Sequence, residues 1–317
     1  MELFLASRRA AGNRPQFFRE RRVVPMAATE PQSIWGLNAP LLEGPLWNPA
    51  DQALWFVCIK TPAIYRLDPE SGARQSWRVP QQIGFIVPVE GTHSFVTGLQ
   101  DGLHLFNPAD GSFKQLANPE AHLPRNRLND ATTDAQGRLW FGTMGDMGSP
   151  ASGYFYRFDG SGVHALAGPV AITNGPAVSP DGRILYHVDT LAGDIFASDI
   201  LPDGSLGEPR LFVHIPTEEG YPDGPTVDSE GHLWVGLFYG GAARRYAPDS
   251  KLVETVSFPV SSVTKIAFGG PDLRTAYATT SAGHLDADGR AREPLAGNLF
   301  SFRVDVPGLP TPAVRLD

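Results

Sequence analysis

The sequence predicts an all-β fold: a six-bladed β-propeller with four-stranded antiparallel blades, its ring closed by an N-terminal strand. Three observations predict it. Gly (34) and Pro (29) supply about one fifth of the 317 residues, against roughly 12% in ordinary chains, and long helices tolerate neither. A motif of two apolar runs joined by a Pro/Asp/Gly-rich turn recurs six times, its copies starting 41, 45, 45, 49 and 42 residues apart. A second alternating run follows each copy, which gives about four strands per 40–50 residues, the period of a propeller blade.

The elements follow in chain order. Residues 1–25 hold six arginines and two acids. No apolar stretch follows the charges as a secretory signal requires. This segment is expected to be a disordered or non-native extension, with Met26 as an alternative start and residues 26–317 as one domain. The first copy of the motif is EGPLWNPADQALWFV from Glu43. It returns as GFIVPVEGTHSFVTG from Gly84, NDATTDAQGRLWFGT from Asn129 and NGPAVSPDGRILYHVD from Asn174. DGPTVDSEGHLWVGL from Asp223 and the weaker KIAFGGPDLRTAYATT from Lys265 complete the set. Period-two alternation marks half-buried strands, and Asp-Gly turns join antiparallel neighbours. Short apolar segments such as RQSWRVP and RLFVHI close five of the units. The sixth lacks one, and SIWGLN at 33–38 can supply it from the other end of the chain. A sandwich or barrel has no reason for sixfold phase. LDADGR at 285–290 reads as a turn, because it lacks the spaced ligands of an EF-hand.

Composition narrows the function. The net charge of −8 argues against nucleic-acid binding, which needs basic surface. No apolar run reaches the roughly 20 residues of a membrane span. The single cysteine, Cys58, excludes an intrachain disulfide framework and a CxxC metal cage. A soluble cytoplasmic protein is expected. The eight histidines show no HExxH spacing and read as packing or surface residues, with His187 the least remote because it neighbours Asp189.

In a propeller the first strand of each blade lines the central channel, and the residue that opens it sits at one mouth. Those positions are Glu43, Gly84, Asn129, Asn174, Asp223 and Lys265. Two carboxylates and two amides would therefore converge. Buried carboxylates must be paired, protonated or metal-bound. Arg127 and Lys265 are the cations available, and a divalent metal is the simpler solution. Glu43, Asn174 and Asp223 offer oxygen donors, which suit hard cations. Asn and Asp before Gly are equally ordinary turn formers, so the pattern by itself leaves both readings open.

LLEGPLW at 41–47, RLND at 127–130, RLWFGTM at 138–144, ITNGPAVSPDG at 172–182 and YPDGPTVDSEGHLWVG at 221–236 resemble the regucalcin (senescence marker protein)/gluconolactonase-like family over about residues 40–305. The resemblance implies one divalent cation (calcium, iron(II), zinc or manganese) held by Glu43, Asn174 and Asp223. It implies substrate contacts at Arg127 and Asn129, and Asp223 as both ligand and general base. In the family an acid after GTM touches substrate; Asp146 fits that place loosely, since Gly145 and Met147 depart from the acid-rich pattern. Asp189 is a further candidate at the channel. The implied activity is metal-dependent opening of a small-molecule sugar lactone to the aldonic acid. Esterase or phosphotriesterase-like hydrolysis and a calcium-binding regulatory propeller are the alternatives.

Overall fold

Six antiparallel sheets of short strands arise from the six repeats in this computed structural model, which describes residues 29–145, 151–160 and 162–316. The expected extension at 1–25 and Asp146 lie outside the described residues. The innermost strands are Leu42–Asn48, Ile83–Pro88, Asn126–Thr133, Thr173–Val178, the broken pair Tyr221–Pro222 and Thr226–Val227, and Val263–Gly269, belonging to blades one to six. Each touches the next, and the last touches the first, so the sheets close into a ring around a channel. Closure removes the free sheet edges at which open sheets aggregate.

The ring is shut as the sequence predicts. Gln32–Trp35 pairs antiparallel with Leu299–Arg303 as the outermost strand of blade six. Trp35 then reaches blade one, edge-on to Phe56 and Tyr65, with the Arg74 guanidinium 4.9 Å over its own ring. Asn298 Oδ1 accepts the backbone N–H groups of Leu37 and Asn38, which fixes the chain leaving that strand.

The tryptophans of the repeats pack between blades. Trp47 stacks on Tyr277 across the blade one–six boundary, and Trp234 meets Phe268 and Phe302 of blade six. A buried indole must place its N–H. Trp55, Trp140 and Trp234 each donate to an aspartate in the preceding turn: Asp51, Asp134 and Asp228. The repeated turn aspartate is thus a strut as well as a turn former. Cys58 is buried in a blade-one strand, as expected.

One feature departs from the sequence expectation, and a second lies where the sequence offered none. LDADGR is not a simple turn. Asp286 accepts the Gly289 N–H at 2.7 Å and caps a six-residue helix, Ala287–Arg292; an Asp N-cap with Asp288 in the first turn favours that start. No described helix is long and apolar enough to cross a membrane. The second is the chain after blade six, which crosses the far mouth of the channel as a strap. Gly308 N–H donates to Leu273 O, Ser229 N–H to Pro307 O, and Thr133 Oγ1 to Pro312 O. Val314, fully buried, exchanges backbone hydrogen bonds with blade two, and Arg315 N–H donates to Gly137 O. Blades six, five, three and two are tied together. Between the strap and the Lys265 level the channel holds a partly open pocket of about 470 Å³. At about 1 kcal/mol for each lost hydrogen bond, truncation after Val304 is expected to lower the thermal midpoint by about 10 °C. Calorimetry of the truncated chain checks this, and an unchanged midpoint rejects the strap as a staple.

Candidate functional site

Each innermost strand carries one residue more than its partner at the same level of the channel. Gly44-Pro45 stand opposite Phe56, Asn129-Asp130 opposite Gly142, and Gly175-Pro176 opposite His187. Gly84 and Thr264 are single extra residues in blades two and six, and blade five is interrupted between Pro222 and Thr226. Bulges of this kind bend a strand and re-aim its side chains. The predicted residues lie at or beside these bulges. Gly44 and Gly175 have φ of +51° and +74°, the left-handed region that glycine occupies without steric cost. Gly84, the apolar member of the six, has no room for more: a Cβ there would meet the Asn129 carbonyl oxygen at 2.2 Å.

Glu43, Arg127, Asn129, Asn174, Asp223 and Lys265 are all buried, each under a tenth exposed. Asn129 Nδ2 donates to Asn174 Oδ1 at 3.3 Å and to Thr173 O at 2.6 Å. Arg127 Nη1 donates to Asn129 Oδ1 at 2.7 Å, and Nη2 to Met144 Sδ. Glu43 accepts the Gly44 N–H, and Asp223 the Gly224 N–H, both at 3.0 Å. Neither carboxylate is in an ion pair among the described residues. Burial, then the charges of Asp223 and Asp130, push the Glu43 carboxyl well above the usual range. Burial chiefly raises Asp223 to about 7; Asp130 raises it further, while the Gly224 N–H and the charges of Lys265 and Arg127 oppose the shift.

Lys265 does not neutralise either of these acids directly. Its Nζ lies 2.5 Å from Asp130 Oδ1, a residue the sequence reading did not single out. Asp130 also accepts the Ala131 and Gly175 N–H groups, so both bulges hang on one carboxylate. Sequence offered one signal for it: Asp130 directly follows Asn129 at the opening of the third repeat.

Asp189 does not bond into the channel. It is half-buried and accepts the Ala192 N–H of its own turn. The neighbouring Thr190 occupies the place expected for it, bonded to Asn174 and to Pro222 O. His187 stacks on Phe196 and meets Phe155 edge-on, bonds Ser198 Oγ, and is pushed down to about 4 by burial, a packing histidine as predicted. An aromatic corner flanks the mouth: Tyr221, two residues before Asp223, meets Tyr239, which is 55% exposed and packs edge-on to His284.

The donor set can be tested against a divalent cation. No three His, Cys, Asp or Glu side chains form a metal cluster among the described residues, and Asp130 is engaged by Lys265. The remaining set is two carboxylates in no ion pair among the described residues and the oxygen of an amide. Two buried acids that disfavour each other's ionisation fit a hard cation, which would remove that penalty.

Residues 41–282 match the family described as the SMP-30/Gluconolactonase/LRE-like region. The chain belongs to this family. Among SMP-30/gluconolactonase-like relatives, it is 33% identical to the 6-deoxy-6-sulfogluconolactonase of Pseudomonas putida, covering 85% of this chain and 93% of that one. It is 33% identical to the pentonolactonase XacC of Haloferax volcanii, covering 87% and 94%. A solved calcium-binding protein, regucalcin, from Agrobacterium tumefaciens superposes with a TM-score of 0.86 at 28% identity, covering 92% of this chain and 98% of that one.

Proposed function

We propose that this protein hydrolyses a sugar-derived lactone to the aldonic acid, with one divalent cation held by Glu43, Asn174 and Asp223. The observation that carries this reading is the pair of buried carboxylates, Glu43 and Asp223, close enough for the charge of Asp223 to act on Glu43 and in no ion pair among the described residues. The lactonase relatives supply the substrate class.

When bound, the cation supplies Lewis-acid polarisation of the lactone carbonyl. Asp223 accepts the proton of the attacking water, its carboxylate held by the Gly224 N–H. The water oxygen bonds to the carbonyl carbon, the acyl carbon–ring oxygen bond breaks, and the leaving ring oxygen takes up the proton that Asp223 accepted, which returns the carboxylate to its starting state. Arg127 presents donors that a hydroxyl-rich ligand can use, and its bond to Asn129 holds both side chains in place before substrate arrives. Such preorganisation lowers the cost of orienting a reactant. The exposed Tyr239 offers an apolar face and a phenol at the rim. Asp146 is retained as a substrate contact on the family resemblance. The cation's identity follows from affinity and supply rather than from oxygen donors, which rank hard cations loosely.

Hydrolysis of gluconolactone, galactonolactone, xylonolactone and arabinonolactone, with spontaneous opening subtracted, tests the proposal. At least one is expected to open faster than its background rate, with the excess lost on chelation and restored by divalent metal. Background rates throughout the panel reject lactonase activity on these sugars; excess turnover that survives complete chelation rejects the metal.

A further inference from the structure

We propose that Thr190 is a positioning residue that aims the Asn174 amide at the cation. The inference rests on the metal reading given above.

A directed chain of hydrogen bonds carries it. Arginine has donors and no acceptor, so Arg127 Nη1 can only donate, and Asn129 must turn its oxygen toward it, 2.7 Å away. The Asn129 nitrogen then faces blade four and donates to Thr173 O and Asn174 Oδ1. Asn174 consequently has its nitrogen on the other side, where Nδ2 donates to Thr190 Oγ1 at 2.9 Å. The Thr190 hydroxyl, having accepted one bond, donates its own proton to Pro222 O at 2.9 Å. A carbonyl oxygen only accepts, so the chain cannot run backwards.

The consequence is local and specific. An asparagine amide reads almost the same in either flip, and only its neighbours decide which end presents oxygen. Thr190 satisfies the nitrogen end; the oxygen accepts one N–H from Asn129 and keeps its second lone pair for a cation. It also links the Asn174 ligand of blade four to the residue before Asp223 in blade five, so two candidate ligands share one strut. Thr190 itself is buried, 6% exposed, and a hydroxyl removed there leaves the Asn174 nitrogen without its acceptor. Partners of this kind behind a ligand commonly govern metal affinity about 10- to 100-fold.

The test is calorimetric titration of the chelator-treated full chain with manganese and with calcium chloride, for wild type, Thr190→Val and Thr190→Ser. Valine keeps the shape and loses the hydroxyl; serine keeps the hydroxyl and loses the methyl. The expected result is a dissociation constant about tenfold or more weaker for T190V, recovered to within about twofold of wild type in T190S. If T190V does not fold, Thr190→Ala serves for the same comparison with T190S. Wild-type affinity in T190V overturns the proposal, even if its melting temperature falls, since Thr190 is then a strut only. Equal weakening in T190V and T190S also overturns it, because the methyl group and not the hydroxyl is then responsible. A wild-type chain that binds neither metal rejects the cation reading itself, and this inference with it.

Discussion

Asp223→Asn is expected to lower kcat by about a thousandfold, within the 10²- to 10⁴-fold range of general bases, without loss of the fold. The substitution conserves size and one oxygen donor while removing the group that takes the proton. It also removes one of two buried acids that raise each other's proton affinity. The variant in chelator at pH 8 is therefore expected to melt no lower than wild type, because a neutral amide at this position avoids the cost of a buried charge. The backbone of residue 223 keeps its bond to Gly236 O, so the channel wall needs no rearrangement. Steady-state kinetics and a thermal melt on the same preparation give both readouts. Turnover equal to wild type would falsify the base assignment; collapse of the fold would show that Asp223 holds blade five together instead.

What could be read in advance follows from which contacts are local. Blade phase lies in the Pro-Asp-Gly turns, where backbone chemistry is decided by two or three consecutive residues, so the six sheets and the closing strand were legible. The places of Glu43, Asn174 and Asp223 on the channel strands were legible because each opens a copy of the repeat; their role as ligands is the proposal made above. The Asp130–Lys265 pair was not: Lys265 stood out as a channel cation, but its partner lies 135 residues away and reads as an ordinary strand residue. Thr190 was hidden behind Asp189, which has the more conspicuous chemistry but turns back onto its own loop. The strap VDVPGLPTPAVR has neither period two nor period 3.6. Its place is set by blades it does not adjoin in sequence, Thr133 and Gly137 among its partners.

Stability is expected to depend on pH in opposite ways with and without the cation. Without metal, Asp223 titrates near 7 and Glu43 well above its ordinary value, whereas in the unfolded chain both titrate near about 4. Between these limits the folded state binds more protons than the unfolded one. By linkage its stability then falls as pH rises through that window. A cation replaces those protons, so the loaded protein keeps its stability at neutral pH and above. It surrenders the cation as acid competes for the same oxygens. At a free metal concentration 100 times the dissociation constant the gain is about 2.7 kcal/mol. The expected observation is a metal-induced rise in melting temperature that grows from pH 5 to pH 8. Other titrating groups, His187 among them, move both curves together and cancel in the difference. Parallel curves, with a metal increment independent of pH, would remove Glu43 and Asp223 from the ligand set, because no other pair of buried acids described at the channel shares this shift.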